Sequence, residues 1–163
     1  MRKFSLLYDK YESPVGVLYL TFSGKYLTAV SFSKPADIAY KKGGVPKSFL
    51  KEMASYFNGT NSEFTPEIKF LSGTDFERKV WDCLKRIPYG ETRTYGWVAE
   101  KAGNPAATRA VGRALSKNPV AIVLPCHRVI ESDGSTGGYS SGVNIKIRLL
   151  ELEYYSNMKH DKD

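Results

Sequence analysis

The chain has 163 residues, 42% of them hydrophobic, with a formal net charge of +7 and two cysteines. That length buries a real core and suits one domain, or a small one joined to a medium one, and the apolar content excludes wholesale disorder. Two cysteines exclude a secreted disulfide scaffold, MRKFSLLYDKYESP holds too short an apolar run for a signal peptide, and no run approaches the ~20 apolar residues of a membrane span, so a cytoplasmic, intracellular protein without a membrane partner is expected.

In chain order, residues 14–32 (PVGVLYLTFSGKYLTAVSF) read as two strands broken at Ser23-Gly24. Residues 33–46 read as a loop. Residues 46–57 place Phe49, Leu50, Met53, Tyr56 and Phe57 at helical spacing, stopped by Asn58-Gly59. A polar connector over 58–73 marks a boundary between a domain at 1–70 and a second at 74–163. The second opens with Thr74-Asp-Phe-Glu77, a capping-box pattern, and a helix up to Ile87-Pro88. A further helix fits Tyr95–Ala102, capped by Thr94 and stopped by Gly103. A third is expected from Asn104 as N-cap and Pro105 at its first position, ending near Asn118-Pro119. Helix, short break, helix is the outline of a helix-turn-helix. VAIVLP (120–125) reads as buried and extended, 131–142 as a glycine- and serine-rich loop, and the tail from Val143 as a helix on length.

Charge is unevenly spread. Six basic residues (Arg93, Lys101, Arg109, Arg113, Lys117, Arg128) face one acid, Glu100, between Thr92 and Arg128. A basic stretch on such an outline points to a polyanion. On the third helix Arg109 and Arg113 share a face, and Ala106, Ala107, Ala110, Gly112 and Ala114 keep it slim. Such a helix either approaches a groove closely or packs by small residues with its arginines in solvent.

Cys126-His127 lies in VLPCHRVI. A thiolate is the nucleophile, and a free thiol near pKa ~8.5 needs a base or a cation to form one. His127 is the neighbouring base, although side chains of consecutive extended residues point apart, so a water would have to bridge. The alternative is a buried core cysteine beside a satisfied histidine. Cys83, Cys126, His127 and His160 show no structural-zinc spacing; no metal is expected, and Cys83 reads as core.

Taken together, IPYGETRTYG (87–96), NPAATRAVGRALSKNP (104–119), VLPCHRVIESDGSTGGYSSG (123–142) and LLELE (149–153) closely resemble the methylated-DNA–protein-cysteine methyltransferases, the 6-O-alkylguanine-DNA alkyltransferases of direct repair. The likeness covers about residues 74–153. It implies an α/β (α+β) fold: a small N-terminal ribonuclease-H-like α/β domain and a C-terminal winged helix-turn-helix domain. It implies irreversible, single-turnover transfer of an alkyl group from oxygen 6 of guanine to Cys126 after base flipping. Adduct preference, 4-O-methylthymine included, stays open. By the same resemblance His127 is the base acting through water, Glu153 orients it, Asn118 bonds across the turn, and Tyr95 stands at the guanine edge. Arg109 is the finger that fills the vacated stack. Ala110, Gly112, Arg113 and Arg128 accompany it at the DNA. Tyr139, Ser140, Gly138 and Val129 form the base pocket. No cofactor and no structural zinc are implied, since zinc-bearing members use N-terminal Cys and His ligands. The partner is double-stranded DNA carrying 6-O-alkylguanine, met through the minor groove by a monomer.

Three other readings compete. Alkyltransferase-like lesion binders lack the acceptor cysteine, and Cys126 argues against them. A helix-turn-helix regulator would need a dimer interface or palindromic site. A cysteine hydrolase usually has its histidine far from its cysteine in sequence.

Overall fold

The computed structural model describes residues 6–36, 40–60 and 63–161, with the side chains of His160 and Asp161 outside that description. The chain divides into two compact units, Met1–Leu71 with Pro119–Val123, and Ser72–Asn118 with Leu124–Asp163.

The first unit is a four-stranded sheet of order β3-β2-β1-β4 with one helix. β1 (Leu6–Ser13), β2 (Gly16–Ser23) and β3 (Tyr26–Ser31) run antiparallel, and β4 (Tyr40–Lys42) lies parallel to β1. β2 and β3 supply the buried Leu18, Leu20, Phe22, Leu27 and Val30. α1 (Lys47–Phe57) covers them with Phe49, Met53 and Tyr56. Sequence reading starts the sheet at residue 14 and leaves 33–46 as loop. β1 escapes because LLYDKYES carries Asp9 and Lys10 and is only half-buried, a weak alternation. β4 is too short to show a period.

Pro119–Val123 joins this first unit: Val30 N–H donates to Pro119 O (3.0 Å) and Ala121 N–H to Val30 O (3.0 Å). It is buried as expected but not extended beyond Val120. Val123 N–H bonds back to Ala121 O (2.8 Å) around Ile122, whose φ is 73°. A β-branched residue in that region is strained. A second such turn, Cys126 N–H to Leu124 O (2.8 Å), follows around Pro125. Two consecutive three-residue turns fold the apolar run back on itself.

The second unit is helical. α2 (Asp75–Leu84) has the expected capping box between Thr74 and Glu77. Gly73, at φ 111°, lies so close to Trp81 that an added Cβ would sit 2.6 Å from the indole. Trp81 is buried and donates Nε1–H to Ala114 O (2.8 Å), tying α2 to the helix that carries Ala114. α3 (Tyr95–Lys101) is capped by Thr94, which accepts from Trp97 N–H. α4 is Thr108–Ser116, not a helix from Asn104. Gly103, at φ 90°, ends α3, Asn104 N–H bonds back to Ala99 O (3.0 Å), and Asn104–Ala107 forms a separate turn. The break between the two helices is therefore longer than expected, and α4 starts without a side-chain cap. Cys126–Arg128 is one 3-10 turn. β5 (Arg93–Thr94) and β6 (Val129–Ile130) pair in parallel, and α5 (Val143–Asp161) closes the unit. No described helix is long and apolar enough to cross a membrane.

Candidate active site

The site is assembled from α3, α4, the 3-10 turn, the loop after β6 and α5. A cavity of about 480 Å³ is lined by Cys126, Tyr95, Arg109, Gly112, Gly138 and Tyr139, all expected at the site. Its size is that of a small-molecule pocket, roughly 300–1,000 Å³. Thr108, Leu115 and Ser116 of α4 and Glu131 of the loop line it as well; none was expected. Gly137 (φ 70°) brings the loop against Tyr95, whose hydroxyl would stand 2.7 Å from an added Cβ. Here only glycine leaves the phenol its place.

Cys126 is a free thiol with 7% of its surface exposed. Burial pushes its pKa up, and Asn118, Lys146 and Tyr139 pull it back. Asn118 also donates Nδ2–H to Leu124 O (2.8 Å), so it does bond across the turn that presents the nucleophile.

The 3-10 turn solves the geometric problem of adjacent Cys and His. Three residues per turn carry His127 inward, away from the cavity wall. It is fully buried, and its Nε2 lies 2.5 Å from Glu153 Oε2. Burial lowers the His127 pKa against the pull of Glu153, so the imidazole is neutral. Burial would raise the Glu153 carboxyl, but His127 and Arg128 outweigh it and hold the group ionised, well below the usual carboxylate range. A carboxylate only accepts, so Nε2 carries the proton and Nδ1 keeps a lone pair. Nδ1 has no protein hydrogen-bond partner among the described residues.

Arg128 and Val129 need correction. Arg128 was expected at DNA. It is 6% exposed, and its Nε donates to Glu153 Oε1 (2.6 Å), its Nη2 to Glu153 Oε2 (3.2 Å) and its Nη1 to Ile87 O (2.8 Å). It lies 5.5 Å from the centre of the Tyr89 ring. Arg128 is thus the counter-ion that fixes Glu153, assisted by Gly90 N–H at 3.3 Å. The Val129 side chain is fully buried rather than in the pocket, and its carbonyl accepts from Lys146. Ser140 is exposed and does not line the cavity. Arg113 is exposed on α4 and Ala110 half-buried, neither on the cavity wall. Cys83 is buried in the helical core.

Sequence reasoning missed Lys146. In VNIKIR it looks like one more solvated helix lysine, but it is 1% exposed.

Two family descriptions match this arrangement: 6-O-methylguanine DNA methyltransferase, ribonuclease-like domain, over residues 6–70, and 6-O-methylguanine DNA methyltransferase, DNA binding domain, over residues 75–155. A methylated-DNA–protein-cysteine methyltransferase of Methanosarcina acetivorans is 43% identical over 159 residues, 91% of this chain and 98% of that one. The chain belongs to the 6-O-methylguanine DNA methyltransferase family. Another relative of that name, from Mycobacterium leprae, is 44% identical over 147 residues, covering 87% of this chain and 88% of its own. Among solved structures, the Mycobacterium tuberculosis O6-methylguanine methyltransferase superposes with a TM-score of 0.85 at 40% identity, covering 93% of this chain and 94% of that one. Mycobacterium tuberculosis OGT in complex with DNA gives 0.86 at 41%, covering 92% and 94%. The two-part α/β fold of the 6-O-methylguanine DNA methyltransferases is the fold of this chain.

Proposed function

We propose that this protein repairs DNA by moving the alkyl group from oxygen 6 of guanine onto its own Cys126, once per molecule. The observation that carries this is the free thiol of Cys126 on the cavity wall, next in sequence to a neutral His127 whose Nε2 is held by ionised Glu153, in a member of this family. Nδ1 of His127, acting through a water, takes the thiol proton, and Glu153 stabilises the imidazolium that forms. The sulfur lone pair attacks the alkyl carbon in line. An S–C bond forms, the C–O bond breaks, and its electron pair stays on the guanine. Tyr95, kept protonated by burial, supplies a proton to the leaving base. The thioether has no route back to a thiol, so the protein is consumed. The thiolate is the only reagent required, and no cofactor is called for.

A thiol recessed in a cavity cannot reach a stacked base, so the guanine is everted. Arg109, exposed at the mouth on α4, fills the gap, and slim α4 enters the minor groove. Arg113 adds phosphate contact. The protein binds as a monomer, in the cytoplasm, where the reducing pool keeps Cys126 free.

Intact-mass spectrometry after incubation with duplex DNA bearing 6-O-methylguanine tests this. One methyl per chain is expected, on the peptide holding Cys126. A methyl elsewhere, continued turnover, or no gain refutes it.

A further inference from the structure

Lys146 is the most deeply buried lysine or arginine among the described residues, at 1% exposed. It stands in the first turn of α5 and points its ammonium at the back of the cavity wall. Nζ donates to Val129 O (2.6 Å) and to Gly138 O (3.1 Å), and lies 5.9 Å from the centre of the Tyr95 ring. Val129 follows the turn that carries Cys126, and Gly138 lies beside Tyr139 on the cavity wall. The two carbonyls thus come from the nucleophile's segment and from the pocket loop, and one side chain ties them together.

Its charge is harder to account for. Among the described residues no carboxylate lies within salt-bridge distance of Nζ. A buried cation held only by neutral carbonyls is costly. Burial lowers the Lys146 pKa, and the groups that oppose this are Cys126 and Glu131. Cys126 bears no charge as a thiol and a full one as a thiolate. The other titratable or charged groups around the sulfur do not serve as its counter-ion. Tyr95 of α3 and Tyr139 of the loop are held neutral by burial. His127 is neutral beside the thiol, and the charge it gains with the thiol proton is met by Glu153. Glu153 of α5 is engaged by His127 and Arg128. Arg109 of α4 is exposed at the mouth, and Glu131 has the wrong sign.

We infer that Lys146 is a positioning residue for alkyl transfer: its ammonium is the counter-ion of the Cys126 thiolate, and its two carbonyl bonds hold the pocket loop against the nucleophile. Glu131, a carboxylate on the cavity wall, shares that ammonium and weakens its hold on the sulfur. The inference rests on the alkyl-transfer reading given above.

The test is the single-turnover rate of methyl transfer to Cys126 from lesion-bearing duplex DNA, read by intact mass across a pH series, with a melting curve for each protein. In the native chain the rate rises with pH as the thiolate forms. Lys146→Met should move that rise to higher pH, so the rate falls at least about tenfold at neutral pH, the equivalent of one pKa unit, and recovers partly in alkali. Lys146→Arg, which keeps the charge, should leave the rise near its native position. Glu131→Gln should move it to lower pH. A Lys146→Met curve lowered by one factor at every pH, with its midpoint unmoved, would show a tether only and overturn the counter-ion role. Should Lys146→Met fail to fold, Glu131→Gln decides, because residue 131 is exposed: no shift, or an upward one, also overturns it. If the native protein takes up no methyl, the alkyl-transfer reading fails instead.

Discussion

Burial keeps His127 uncharged, and an uncharged imidazole is the form able to take a proton. Glu153 does the opposite work: two neighbours hold it ionised inside the protein. In both cases the unfolded chain binds protons more readily than the folded one, so stability falls as pH drops. For His127 the loss starts below about 6.5, the ordinary histidine value. For Glu153 it starts below about 4.3, the ordinary glutamate value, and is complete once pH passes the depressed folded value. The melting temperature should therefore decline in two stages between neutral and acid pH, and His127→Gln should flatten the upper stage. Arg128→Met should lower stability by about 3 kcal/mol by stranding the Glu153 charge; chemical denaturation measures this, and a change within error would remove Arg128 from the counter-ion role. Sequence suggested DNA for Arg128 because its charge belonged to a basic stretch. Charge along a chain does not reveal which side of the backbone is inside. Cys126, His127 and Glu153 were legible through the family's motifs. Lys146 was not, because nothing in VNIKIR distinguishes a lysine that donates to buried carbonyls from one in water.

At the level of elements, local signals served well where the ends are made by side chains. Thr74 and Glu77 announced α2, and the structure has both halves of the capping box. Thr74→Ala should cost about 1 kcal/mol, read from denaturant unfolding. α4 went the other way: Asn104-Pro105 has the composition of a helix start, but Gly103 and the bond from Asn104 to Ala99 use that segment to finish α3. β1 was hidden because LLYDKYES alternates only weakly, although its hairpin partner β2 follows at once, and the turns after Val120 because an unbroken apolar run does not show where it folds back. The pocket loop is the element most sensitive to a small change. Gly137→Ala puts a methyl into the Tyr95 hydroxyl at a backbone angle alanine resists. It should depress alkyl transfer at least about tenfold, with α-helical circular dichroism unchanged. Full activity would mean that Tyr95 does not need its place.

For the whole molecule, a net charge of +7 makes duplex binding mainly a matter of phosphate contact. Affinity should fall steeply with salt, and the slope of log K against log salt should lessen by about one when Arg113 becomes alanine, measured by fluorescence anisotropy. Arg109→Ala should weaken reaction with duplex more than reaction with free alkylated base; equal losses would count against a stacking role. The native protein should also melt lower after it has reacted, because the added carbon sits in a site where only 7% of the cysteine is exposed.

The return of Pro119–Val123 to the first unit has a practical side. The polypeptide visits the sheet a second time just before it presents the nucleophile, so no single cut separates the two units. A fragment begun at Ser72 would carry Val120 and Ile122 without the strand edge that shelters them, and would expose a sticky apolar stub three residues upstream of Pro125. Anyone seeking a minimal version of this protein should graft that stub to polar residues, or keep the chain whole.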